Sequence, residues 1–350
     1  MTEETTHYMA LCLQLNCPTI NRLSVEESRK SMMKTIKKIS FHLNGSKLLI
    51  GNDTRLVVLP EYFMTGYPLG ESIQEWTEKA AIDIDGPEYD ALSNIAQKNN
   101  VFLSGNAYEK DSEFPGLYFQ TSFIINSSGD LILRYRRLIS LYAPTPHDVW
   151  DRYLEVYGYD AIFPVANTEI GKLACCASEE ILYPEICRAH TLRGAEIILH
   201  SSSEIASNDV TPKDITKRAR AIENLIYVVS CNSGGIQNSP IPTNSVDGMS
   251  KIIDFHGNIL ASSSIGETMV SNAEIDLLAL RRYRDRPGMS NILSRQRLEL
   301  FGETYNTRSI YPANTLLDKK TGKFFIPERK HFSETQKQVI ASLSKKNLNS

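Results

Sequence analysis

The chain has 350 residues, a formal net charge of −3, 41% apolar and 23% charged residues, the composition of a globular protein rather than a disordered or fibrous one. A pI near 6.2 offers no broad attraction for phosphate backbones or anionic lipid, and the basic clusters Arg134–Arg137, Arg281–Arg286 and Lys345-Lys346 are short, so neither nucleic acid nor a membrane is an expected partner. No run approaches the roughly 18–20 apolar residues of a membrane span, and Met1 to His7 is polar and acidic rather than a basic stretch leading into an apolar one, which points to a cytoplasmic protein.

Met9 to Leu15 alternates as a half-buried strand, and Ser24 with Glu27 forms a capping box that opens a helix. In that helix Met32, Ile36, Ile39 and Leu43 share one face, and Gly45 is expected at its C-terminal cap. Val57 to Leu59 is a buried strand ending in Pro60-Glu61; a helix follows Gly86-Pro87 and leads into a strand from Val101 to Gly105. Thr121 to Ile125 and Leu131 to Tyr135 flank the turn residues Asn126 to Asp130 and predict a hairpin. The second half alternates again: strand Leu173 to Ala177, helix Pro184 to Gly194, strand Glu196 to His200, helix Pro212 to Asn224, strand Ile226 to Cys231. Both helices begin on a proline, which fits a first turn where no N–H is needed. A hairpin over Gly248 to Phe255 and Ile259 to Ser264 and a late strand Met269 to Ile275 complete the pattern, which fades after Asp276; only Ser333 to Leu343 reads as a further helix. Mixed strands with interspersed helices predict an α/β fold in layers.

Six cysteines, Cys12, Cys17, Cys175, Cys176, Cys187 and Cys231, lie mostly in apolar strand-like stretches without C-x-x-C spacing. They read as buried free thiols, and no metal or other cofactor is expected.

Three strand ends carry the chemistry: Leu56-Val57-Val58-Leu59-Pro60-Glu61 running on through Gly66-Tyr67-Pro68; Arg134-Tyr135-Arg136-Arg137-Leu138; and Cys175-Cys176-Ala177-Ser178-Glu179-Glu180 running on to Pro184-Glu185. With Gly194-Ala195-Glu196 and Arg220 to Asn232 they make five ordered motifs between about residue 8 and residue 276. This pattern resembles the nitrilase superfamily of carbon–nitrogen hydrolases, aliphatic amidases in particular, which show Pro-Glu-x-x-x-x-Gly-Tyr, Tyr-Arg-Lys and a Cys six residues before Pro-Glu. The resemblance implies a four-layer α-β-β-α sandwich over residues 1–280, with residues 281–350 as an extension packing on the domain or on a partner subunit. It also implies a homodimer or higher homo-oligomer, with the helices from Pro184 and Pro212 at the interface.

In that family a Glu is the general base, a Lys stabilises the oxyanion and a Cys is the nucleophile. Carried over by position, these roles fall on Glu61, Arg137 and Ser178, and only the glutamate matches. Arginine keeps a permanent charge, but its planar fork can lock a carboxylate in a bidentate pair. Serine is the graver change, because a hydroxyl needs a strong base and serine hydrolases normally use a histidine; no motif places one beside Ser178, with His147 and His200 left open. Cys176 shares a strand face with Ser178 but lies about 6–7 Å back from the tip.

Further candidates for a substrate site are Tyr67, Asp148, Glu179 and Tyr183. Asp148 either replaces a second glutamate of similar amidases or is an ordinary loop aspartate, Glu179 and Glu180 either rim the pocket or sit solvated at a helix start, and the tyrosines either line the pocket or pack in the core. Two readings follow. In one, the chain has lost or altered the cysteine-dependent hydrolysis of amide or nitrile C–N bonds and binds a small amide-like ligand or serves as a structural subunit. In the other, it is an amidase or acyl transferase with Ser178 attacking, Glu61 as base and Arg137 holding the oxyanion.

Overall fold

The computed structural model describes residues 4–207, 209–318 and 320–345; Met1 to Glu3 and Lys346, which entered the reading of the termini, lie outside the described residues. Two six-stranded sheets face each other. The first runs Asn272–Asp276, His7–Cys12, Thr54–Glu61, Phe102–Lys110, Tyr118–Ile125, Leu131–Arg136, and the second Ile259–Ser262, Lys251–Ile253, Tyr227–Asn232, Ile197–Ser202, Gly171–Ala177, Ala166–Thr168. In each, three central strands are parallel and the outer ones antiparallel. The central strands are apolar on successive residues because both of their faces are covered. Leu56 and Val58 join the core shared with the second sheet, and Val57 and Leu59 the core beneath the helices.

Those helices are Val25–Ile50 and Pro87–Asn99, which bury Met32, Ile36, Ile39, Leu43, Leu92 and Ile95 over the first sheet. Pro184–Leu192 and Pro212–Asn224 cover the second sheet with Ile186, Cys187 and Ala221. The result is the expected four-layer α-β-β-α sandwich, with the carboxyl ends of the parallel strands, where Glu61 and Ser178 sit, at one side.

Three helices are prominent among the departures from expectation. The first helix does not end at Gly45 but runs to Ile50, capped by Gly51 at φ 105° with its N–H on Lys47 O. An interior glycine costs about 1 kcal/mol, and the last turns are held by Lys47 Nζ on the Asn99 carbonyl (2.6 Å) and the buried Ser46. A second helix, Ile73–Ala80, has a Ser72/Glu75 capping box and buries Trp76. The arginine-rich stretch is a third, Leu277–Asp285: Asp276 caps it, Arg281 pairs with Glu196 (2.6 Å) and Arg284 donates to the carbonyls of Leu225 and Ala195. The boundary expected between residues 280 and 281 therefore falls inside a docked helix.

Beyond it the chain behaves in two ways. Glu299–Asn306 is a helix with no buried residue, whereas Leu316 and Phe332 are fully buried in the chain's own core and Arg329 donates to Tyr142 O. The last helix is Lys330–Lys345. Among the described residues no helix is long and apolar enough to cross a membrane.

Candidate functional site

Glu61 ends its strand fully buried, and Arg137 lies just past the end of Leu131–Arg136, three strands further along the same sheet. Ser178 begins the turn after Gly171–Ala177 in the facing sheet. Two residues here have left-handed backbone, Tyr62 (φ 56°) and Ser178 (φ 52°), a conformation that costs a non-glycine residue energy and concentrates at functional turns.

Glu61 and Arg137 meet through Gln120. Gln120 Nε2 donates to Glu61 Oε1 (2.6 Å) and to Asn106 Oδ1 (3.0 Å), while Gln120 Oε1 accepts from Arg137 Nη1 (2.9 Å) and Tyr62 Oη (3.3 Å). Arg137 Nη1 lies 3.6 Å from Glu61 Oε1, beyond direct hydrogen bonding. The rest of the guanidinium is engaged too: Nε donates to Ile139 O (2.7 Å) and Nη2 pairs with Glu179. Desolvation opposes this buried charge, but Tyr62, Glu179 and Glu61 outweigh it and raise the pKa further, so the proton never leaves. Glu61 Oε2, in contrast, is buried with no hydrogen-bond partner among the described residues.

Ser178 has no comparable support. Its hydroxyl makes no hydrogen bond to a described residue. His200, fully buried, contacts the Ser178 carbonyl through Nε2 (2.7 Å) and Ser230 Oγ through Nδ1 (2.8 Å). A carbonyl only accepts, so Nε2 carries the proton and the Nδ1 lone pair is used by Ser230. Burial, then Lys217, holds the His200 pKa well below its usual value. The imidazole is therefore neutral and has no lone pair for the serine. His147 lies elsewhere, packed against Trp150 and Tyr311. Neither neighbouring thiol substitutes: Cys175 and Cys176 are fully buried, desolvation pushes Cys175 up to about 12, and burial also raises Cys176.

The remaining sequence candidates divide. Glu179 belongs to the site through its ion pair with Arg137, and the half-exposed Tyr183 lies in the field of Glu179 and Arg137, its phenol pKa raised first by burial. Tyr67 is half-buried with its ring 6.2 Å from that of Tyr62. Asp148 is not joined to the cluster. Its Oδ2 caps Thr145 through N–H (2.9 Å) and Oγ1 (2.7 Å), and its Oδ1 accepts from Thr315 in the C-terminal extension (2.6 Å), so both oxygens are committed to a loop and the tail. Among the described residues no group of three or more His, Cys, Asp or Glu is placed to hold a metal ion.

Glu180, expected either at the pocket rim or in a solvated pair at a helix start, is fully buried. Oε1 accepts from the amides of Leu138 (2.7 Å) and Ile139 (3.1 Å), and Oε2 from Tyr135 Oη (2.8 Å) and the Ala177 amide (3.2 Å). It ties the loop after Arg137 to the strand before Ser178. Desolvation raises its pKa to about 7 even though Arg137 and these donors favour the charge. Gln120 and Asn106 were also missed, although a polar residue inside each of two buried strands is a readable sign of an internal network.

Comparison with known proteins agrees with this architecture. The carbon–nitrogen hydrolase family model matches residues 15–285. Nitrilase homolog 2 of Dictyostelium discoideum is 23% identical over 291 residues, covering 77% of this chain and 86% of that protein. A Bacillus cereus formamidase is 26% identical over 239 residues, 67% of this chain and 65% of the formamidase. The crystal structure of a carbon–nitrogen hydrolase from Helicobacter pylori superimposes with a TM-score of 0.64 at 23% identity, covering 85% of this chain and 98% of that one. The chain belongs to the carbon–nitrogen hydrolase family of the nitrilase superfamily.

Proposed function

We propose that this chain is a family member that no longer runs the cysteine-dependent hydrolysis of C–N bonds and instead binds a small amide-like ligand at the vestige of that site. The observation that carries the reading is the state of Arg137. A lysine ammonium beside a substrate oxygen is a free donor, whereas this guanidinium is held by Gln120, Glu179 and the Ile139 carbonyl; moving it onto an oxyanion breaks contacts already made, so little differential stabilisation of a transition state remains. Ser178 without an imidazole base points the same way. What supports ligand binding is Glu61 Oε2, a buried acceptor with no donor among the described residues, which the N–H of a primary amide would satisfy. Six buried free thiols fit a reducing cytoplasm.

The test is turnover of a panel of small amides and nitriles by the wild-type chain, by Ser178→Ala and by Arg137→Lys combined with Ser178→Cys. We expect no turnover by the wild type and measurable turnover by the double variant. Wild-type turnover abolished by Ser178→Ala sinks the reading and establishes a serine amidase.

A further inference from the structure

The helix Val25–Ile50 carries six basic residues against two acidic ones, a net charge of +4 in a chain whose total is −3. Its inner face is the buried stripe described above. On the outer face, Lys30, Lys34, Lys37, Phe41, Gly45 and Leu48 follow one another at steps of four, three, four, four and three, which places them in one line. The line is about 27 Å long at 1.5 Å per residue.

Its two halves differ in chemistry. At the N-terminal end Lys34 and Lys37 have no hydrogen bond or ion pair to any described residue; with Arg29, which pairs with Glu88, and Lys30, which pairs with Glu26, they rim a groove of ≈ 440 Å³ that also takes in Met33, Pro87 and Glu88. At the C-terminal end Phe41, Leu48 and Leu49 are 75%, 87% and 77% exposed. Scattered single apolar residues on a surface need no explanation, but three large ones on two successive turns, continuous with a lysine row, do. Gly45 among them adds no side chain to lift the face from a plane, and a Cβ there would meet nothing within 4 Å.

We propose that this outer face docks on an anionic lipid bilayer, the lysines meeting headgroup phosphates and carboxylates while Phe41, Leu48 and Leu49 enter the acyl boundary. Charge complementarity selects this occupant. Lysine rows beside an anionic leaflet contribute favourably residue by residue, and an amphipathic helix lies in that interface with its apolar side chains buried. A second copy of the chain would bring lysine row against lysine row in a parallel pairing. In an antiparallel pairing about Gly45 it would lay the Leu48-Leu49 end against Phe41 but find no carboxylate on the facing helix for Lys34 or Lys37. The average charge of the chain conceals the feature because the positive residues are gathered by helical spacing.

The experiment is flotation of the full chain with vesicles of phosphatidylcholine alone and with vesicles that also contain phosphatidylserine. We expect flotation only with phosphatidylserine, at least about a tenfold loss of binding in Lys34→Glu with Lys37→Glu, and complete loss in Leu48→Gln with Leu49→Gln. All four side chains are exposed, so thermal midpoints should stay at the wild-type value; Phe41→Ser serves as an independent apolar variant. No flotation with phosphatidylserine vesicles overturns the proposal, as does undiminished binding by both double variants. Wild-type self-association that the leucine variant abolishes, without flotation, also overturns it, in favour of a second copy on this face.

Discussion

Replacing Glu180 by glutamine separates what this carboxylate contributes as a hydrogen-bond acceptor from what its buried charge costs. In the native site four donors converge on its two oxygens. The amide oxygen of a glutamine can keep Leu138 and Ile139, and its NH2 can turn to the Tyr135 oxygen, but it meets the Ala177 N–H donor to donor; one unsatisfied buried donor costs about 1–3 kcal/mol. Against this stands the titration. Burial raises the Glu180 pKa from its ordinary value near 4.5 to about 7, so between those values the folded state binds more protons than the unfolded one. The stability this provides is present below the unfolded pKa and is lost as pH rises through the folded pKa. Integrating the linkage relation, the wild type should lose about 2.5 kcal/mol relative to Glu180→Gln between about pH 5 and about pH 8. Urea unfolding of both proteins at the two pH values measures it, and taking the difference cancels all other titrations. A gap that stays constant or widens in favour of the wild type at high pH would refute the argument that desolvation dominates.

Gly105 lies one residue before Asn106 in the strand Phe102–Lys110, and a Cβ there would sit 2.9 Å from Phe123 Cζ and 3.0 Å from Phe63 Cε1. Gly105→Ala should cost about 1–3 kcal/mol by overpacking, read as a lower denaturation midpoint; an unchanged midpoint would show that the two rings yield freely. The C-terminal extension should respond in two ways. Phe332→Ala empties a fully buried site and should cost about 3–5 kcal/mol in urea titration. Phe301→Ser, on the helix with no buried residue, should leave stability unchanged and lower the mass seen by light scattering; an unaltered mass would remove that helix from any homo-oligomeric contact.

Much of the layered fold was legible in local pattern. Buried central strands such as Leu56-Val57-Val58-Leu59, capping residues such as Ser24, and prolines at first turns announce themselves within a few residues, because strand burial and capping are short-range consequences of side-chain type. The helix Leu277–Asp285 was not legible, since its arginines are anchored by Glu196 and by the carbonyls of Leu225 and Ala195, partners far away in sequence. The site divides along the same line. By residue type alone the sequence offered Glu61, Arg137 and Ser178 as the positions to compare with the Glu, Lys and Cys of the family pattern. That Arg137 would be held by Gln120 and Glu179, that His200 would address the Ser178 carbonyl rather than its hydroxyl, that Asp148 would bond Thr315, and that Glu180 would be buried with four donors are decided by which strand ends the two sheets bring together. Hydrogen bonds are directional contacts, here between groups as far apart in sequence as Glu4 and Arg281, and no local pattern encodes their partners.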